Sequence, residues 1–292
     1  MKTKMLLKRG SVLMMAAILF VTSCNDEERV TAQDTQDISE EAVTDSYFQD
    51  MDDMAGVAVE APSETEYSGG RTKSTFQVTD TRFRCGTTPL TLTLERSATS
   101  TPANPSGVIT VDFGTGCTDL RGNVRSGKLI FTYNGKRFTT GSTVVVTGQN
   151  YTINGIKLEG TRTVTNLAGT STGSPKLNAV LTGGKATFED GKQATRESNI
   201  TWQWVRGTNA AEDKLIIDQS STASGTTKGG RNYSVNLLES LEYKRFCGIA
   251  VSGIKRYVIN GEKEITLDYG DGECDNEVTV TVNGVVRNIR VN

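Results

Sequence analysis

"NEVTVTVNG", residues 276–284, sets the reading of the rest of the chain. Val278, Val280 and Val282 alternate with Glu277, Thr279 and Thr281, so an extended segment here has one apolar and one polar face. Asn283-Gly284 then supplies two residues that tolerate the positive φ of a two-residue hairpin turn. The predicted unit is a half-buried antiparallel strand closed by a hairpin. The same period recurs in "TLTLE" (91–95), "VITVDF" (108–113), "KLIFTY" (128–133), "TVVVTG" (143–148) and "NITWQW" (199–204). Asn134-Gly135, Asn154-Gly155, Asp190-Gly191 and Asn260-Gly261 predict further hairpins. After residue 75 only "NLLESLEY" (236–243) carries a helical spacing. The predicted fold class is all-β, with hairpins meandering in an antiparallel sandwich or an elongated sheet from residue 75 to 292. Two Gly/Ser/Thr-rich stretches, 168–175 and 220–230, read as loops, and a division into two subdomains is placed near the first of them.

The N-terminus is of another kind. Lys2, Lys4, Lys8 and Arg9 precede an apolar run from Val12 to Val21, too short to cross a bilayer as a helix. Residues 1–23 therefore read as an export signal. Val21-Thr22-Ser23-Cys24 resembles the lipobox of bacterial lipoproteins, which implies acylation of Cys24 and a membrane anchor through that lipid. The acidic cluster Asn25-Asp26-Glu27-Glu28 is similar to the surface-export signal of Bacteroidota lipoproteins. That likeness implies a cell-envelope protein, exposed on the outer membrane.

Charge divides the chain. Residues 25–70 hold 14 acids and one base, Arg29, for a net of -13, whereas residues 71–292 hold 27 bases and 20 acids, for +7. Residues 24–74 read as an acidic tether. Within it "ISEEAVTDSYFQDMDDMA" (38–55) places Ile38, Ala42, Tyr47, Met51 and Met54 at helical spacing and predicts a short helix. Such a helix either docks on the basic body or stays extended by repulsion. "VEAPSETEYSGG" (59–70) reads as a linker.

An internal echo organises the cysteines. Cys85 opens a segment that ends in "ITVDFGTGC" at Cys117, and Cys247 opens one that ends in "ITLDYGDGEC" at Cys274. Export implies an oxidising compartment, and the repeat predicts bridges within each copy, Cys85 to Cys117 and Cys247 to Cys274. With the Cys24 leader and the acidic tether, these paired units make the chain resemble β-rich lipoproteins of Bacteroidota, a likeness that implies no particular activity.

The chain contains no histidine, so Ser-His-Asp and Cys-His catalysis in their usual forms, and histidine-ligated zinc, are excluded. No GxxxxGK[ST] loop is present, the kinase-like Asp112-Phe113-Gly114 stands without the rest of that motif set, and nothing supports nucleic-acid binding. A carboxylate-based glycosidase remains conceivable chemistry, but no acid pair stands out for it. No catalytic residue and no obligate cofactor is expected. Asp268, Asp271 and Asp275 in "DYGDGECDN" form a candidate calcium site, although turn-forming Asp and Gly explain the same residues. Trp202 and Trp204 share one face of a strand, with Gln203 between them and Arg206 nearby. They form either a platform for stacking sugar rings or a core pair, the commoner use of large aromatics. The expected function is a non-enzymatic structural or binding role at the cell envelope, with polysaccharide binding through the two tryptophans as the alternative.

Overall fold

The computed structural model describes residues 30–62, 73–168, 173–209, 212–244, 247 and 249–290. The leader, Cys24 and the cluster at 25–28 lie outside the described residues.

The body is one antiparallel sheet of seventeen strands, with one additional two-stranded ribbon of Arg84–Cys85 and Thr88–Pro89. The sheet is a meander. Lys73–Gln77 forms one edge beside Thr91–Arg96, which is followed by Ser106–Asp112, Val124–Asn134, Thr143–Ile153, Ile156–Ala168, Lys176–Thr187 and Gln193–Val205. The opposite edge is Val285–Arg290, reached through Ser252–Ile259, Lys263–Asp271 and Glu277–Val282. No pairing joins the two edges among the described residues, so the sheet is open. Ile156–Ala168 and Lys176–Thr187, on either side of residues 169–175, pair with each other, so the sheet is continuous from one to the other.

Beyond Gln193–Val205 the sheet splits. The first half of that strand pairs with Thr222–Thr226 and the second half with Lys214–Ile217. These short strands continue onto Asn232–Leu237 and Leu241–Lys244, and both of those reach Ser252–Ile259. "NLLESLEY" thus belongs to two short strands with a turn between them. Its leucines supply buried positions to a sheet: Leu237 and Leu241 are buried, while Leu238 is exposed at the turn.

All five predicted dipeptides lie at connections between paired antiparallel strands, but only two close two-residue turns; Asp190-Gly191 sits in the connection 188–192 and Asn260-Gly261 in the connection 260–262. Asn154-Gly155 and Asn283-Gly284 join adjacent strands as two-residue turns with both φ positive, at 50° and 79° and at 46° and 84°. Asn134-Gly135 does not close a tight turn, because its strands are joined by residues 135–142, closed by hydrogen bonds such as Ser142 N to Thr139 O.

The acidic segment folds as a single helix, Ala32–Glu60, of 29 residues, about 43 Å long at 1.5 Å per residue. It is neither short nor a detached spacer. Thr31 caps it: its hydroxyl accepts from Asp34 N at 3.2 Å, and the Asp34 carboxylate accepts from Thr31 N at 2.8 Å. Glu60 is the last helical residue, with Pro62 two positions beyond. The buried face is continuous but changes character along its length. Asp34, Asp37, Glu41 and Thr44 are buried in the first half, and Phe48, Met51, Met54, Ala55, Ala58 and Val59 in the second. The apolar half packs on Leu92, Leu94, Ile109, Leu129, Phe131 and Val146 in the main core. A separate apolar cluster, from Ala223 to Val282, lies under the first half with Val30 and Ile38 packed against it.

Both predicted bridges are present: Cys85 to Cys117 with Cα atoms 5.1 Å apart, and Cys247 to Cys274 at 5.6 Å. The two copies also share a turn. Asp112 Oδ1 accepts from Gly114 N and Asp268 Oδ1 from Gly270 N, each at 2.9 Å, with positive φ at both glycines. The echo is one structural device used twice, an aspartate-stabilised strand end beside a disulfide.

Candidate functional site

The inner face of the sheet meets the helix through cations at intervals along its length. Near the C-terminal end, Arg137 pairs with Glu60 at 2.9 Å. Arg125 donates to Asp119 at 3.0 Å and to the Tyr151 hydroxyl at 2.6 Å, and stands 2.7 Å from Asp50. Arg82 reaches Asp80 at 2.9 Å and Asp50 at 3.3 Å. Arg162 pairs with Asp52, and Arg196 pairs with Glu41 and, at 2.7 Å, with Asp45. At the N-terminal end Arg231 binds Asp34 and Asp37, and Lys263 binds Asp34 at 2.5 Å. The C-terminal half of the helix therefore lies over early strands and its N-terminal half over late ones. Burying a carboxylate is costly unless it is paired and hydrogen-bonded, so these cations are the condition for burying this acidic face.

Two cavities lie between helix and sheet, with Trp202 forming part of the wall of each. The first, about 220 Å³, is lined by Asp52, Asp53 and Gly56 of the helix and, across from them, by Arg137, Asn166, Trp202, Trp204 and Arg206. The second, about 280 Å³, lies over the seam where the sheet splits, with Ile200, Leu215, Ile217, Val235 and Leu237 in its wall. Alternation along Gln193–Val205 places Arg196, Ile200, Trp202 and Trp204 on the helix side. Neither tryptophan joins a core cluster: Trp202 is half-buried, and Trp204 is 41% exposed. The two indoles are therefore not a packed core pair: they stand across a cavity from Asp52, Asp53 and Gly56 of the helix. Gln203 faces away and donates to Ser174 O at 3.2 Å. Arg206 lines the first cavity and is paired with Asp213 at 2.9 Å. Gly56, one turn before the end of the helix, leaves the space through which the Arg137 guanidinium lies against the backbone on its way to Glu60, and a β-carbon there would force it aside.

The carboxylates on this face do not titrate alike. Burial pushes the Asp34 carboxyl up, but hydrogen bonds from Lys263, Thr31 and Arg231 outweigh it and bring the pKa down to about 2. Burial also pushes Glu41 up, yet the Lys255 and Arg196 charges and the Tyr257 hydroxyl, 2.8 Å away, hold it below the ordinary glutamate value. Asp52 goes the other way. Burial dominates over Arg162, Asp53 and Asp45 add repulsion, one of its oxygens has no hydrogen-bond partner, and its pKa is pushed up to about 7.

A pH dependence follows. Asp52 binds its proton more tightly folded than unfolded, so its contribution is fully present below the unfolded value near 4 and is lost as pH rises to about 7. Asp34 and Glu41, with lowered pKa values, lose their contributions only at more acid pH. Between pH 5 and 7 the melting temperature of the wild type should fall, with a stability slope from Asp52 of at most about 1.4 kcal/mol per pH unit. Asp52→Asn should flatten that slope in calorimetric melts, and an unchanged slope would contradict the assignment.

The candidate calcium ligands are not brought together. Asp268 is engaged with Gly270 N, Asp275 accepts from Glu277 N at 2.9 Å, and no cluster of three or more acids or cysteines suited to a metal occurs among the described residues. Sequence reasoning singled out Trp202, Trp204 and Arg206 but missed Asp52, Asp53, Arg137 and Asn166, whose local surroundings carry no motif. Comparison with known proteins returns no matching family model, no matching curated protein and no matching solved structure.

Proposed function

We propose that this chain is a lipid-anchored, non-enzymatic binding module of the cell envelope, which takes up a neutral saccharide in the cavity bounded by Trp202 and Trp204. The observation that carries the reading is the placement of both indoles on the concave face, in a cavity wall, where packing alone would have buried them. Amphipathic rings beside Asp53, Asn166 and Arg206 offer stacking surface and hydrogen-bond partners together, the usual composition of a specific small-ligand site. A cavity of roughly 150 Å³ holds benzene, so one of about 220 Å³ suits a single sugar ring. The cations of this wall are matched: Arg137 by Glu60 and Arg206 by Asp213. That balance favours a neutral sugar over a sulfated or uronic one. The anchor rests on Val21-Thr22-Ser23-Cys24 and the acids behind it. The two disulfides fit an oxidising compartment, as an exported protein requires.

Screening neutral and anionic glycans against the wild type should yield a neutral ligand whose affinity drops at least tenfold in Trp204→Ala, an exposed position whose truncation leaves the melting temperature within a few degrees. Retained glycan affinity in the folded variant would remove the platform. Separately, radiolabelled palmitate should enter the wild-type chain in cells and fail to enter Cys24→Ser. Equal labelling of both would remove the anchor.

A further inference from the structure

We propose that the second cavity is a separate binding site for a medium-chain aliphatic carboxylate, with its chain against Ile200, Leu215, Ile217, Val235 and Leu237 and its head at Lys255. The site arises from the split in the sheet. Where Gln193–Val205 gives way to two short strands, the Asp218 to Ser221 turn separates Lys214–Ile217 from Thr222–Thr226, and the inner face between them stands across a cavity from Asp45 and Gln49 of the helix without being filled by it. Ile200, Trp202, Leu215, Ile217 and Tyr243 remain only half-buried there. Large apolar side chains left partly open inside a concavity gain by accepting an apolar occupant, at roughly 25 cal/mol per Å² of apolar surface covered.

The polar groups are gathered on the helix side. Asp45 and Arg196 satisfy each other at 2.7 Å, and Arg196 also holds Glu41. Lys255 is different: its ammonium stands 3.9 Å from Glu41, beyond hydrogen-bond distance, and 4.8 Å from the centre of the Tyr257 ring. Arg162, the third cation of this wall, is paired closely with Asp52, so Lys255 alone of the three has no carboxylate within hydrogen-bond distance among the described residues. The volume sets the length of the chain. Scaling from the benzene-sized cavity, about 280 Å³ accommodates about eleven non-hydrogen atoms, enough for decanoate with its carboxylate at the mouth beside Lys255.

The shared wall provides the readout, because Trp202 and Trp204 are the only two tryptophans. In a Trp204→Phe chain from Asn25 onward, which contains every described residue, Trp202 is the sole indole. Titration with decanoate, kept below its self-association limit, should change the Trp202 fluorescence with one-to-one saturation. Ile217→Phe, which fills the chamber, should weaken binding at least tenfold; Leu215→Phe serves if that variant melts much lower. Lys255→Met should weaken decanoate about tenfold and leave decanol unchanged. Three results would overturn the proposal: no saturable change, binding indifferent to a filled chamber in a folded variant, or decanol binding as tightly as decanoate. The sugar site is tested independently, since Trp204→Ala should remove saccharide binding and preserve decanoate binding.

Discussion

Replacing Glu41 by alanine is expected to cost about 3 to 5 kcal/mol of folding stability, the range for stranding the partner of a buried ion pair. Glu41 is 6% exposed and holds three groups on the sheet: Arg196, the Tyr257 hydroxyl and, more distantly, Lys255. Its removal leaves a guanidinium that is also buried with only Asp45 to match it. For a folded region of this size each kcal/mol shifts the melting temperature by roughly 2–4 °C, so a drop on the order of 10 °C should be visible by calorimetry. Glu41→Gln should cost less, because an amide retains hydrogen-bond acceptance without the charge. The double variant Glu41→Leu with Arg196→Leu should recover part of the loss, since exchanging both members of a buried pair for apolar residues is often neutral or better. A loss below about 1 kcal/mol in Glu41→Ala would mean that the helix is not held by this pair.

The second large effect is expected from the first bridge. Cys85→Ser together with Cys117→Ser opens a loop with a sequence separation of 32, and the chain-entropy relation gives a loss of about 3 to 4 kcal/mol. The bridge sits where Cys117 is buried in the main core beside Phe83 and Phe113, so local loosening should accompany the entropic effect. Proteolysis of the double variant should begin between residues 97 and 105, an exposed loop inside the opened segment. Mass mapping of unreduced wild-type peptides should recover Cys85 with Cys117 and Cys247 with Cys274. A double variant as stable as the wild type would show that the bridge constrains nothing the rest of the fold does not already hold.

The two predictions concern parts of the molecule that differ in how legible they were. Alternation in segments such as "TLTLE" and "VTVTV" identified strands correctly, because a strand's face is set residue by residue. Asn154-Gly155 and Asn283-Gly284 marked hairpins for an equally local reason, their tolerance of positive φ. The cysteine pairing was legible through the echo, since two copies of one unit place their cysteines alike. Local spacing misled at "NLLESLEY", where a turn between two short strands imitates the helical repeat.

The helix is the instructive failure. Its sequence shows acids at 34, 37 and 41, and an unpaired carboxylate does not leave water, so nothing local to these positions says that they are buried. What permits their burial is Arg231, Arg196, Lys263 and Tyr257, more than 150 residues away in the chain. The opposite charges of the two segments were visible in the sequence, and so was docking as one of two outcomes. Which carboxylate meets which cation was not.

The sequence by itself determined the all-β body, most of its turns and the two bridges, because those depend on backbone preferences, side-chain alternation and a repeated unit. Only the tertiary structure decided that the acidic segment lies inside the fold, and that Trp202 and Trp204 line a cavity without being part of the core. Both depend on what stands opposite a side chain across the helix-to-sheet gap, and that opposition is created by the meander bringing distant strands beneath one helix.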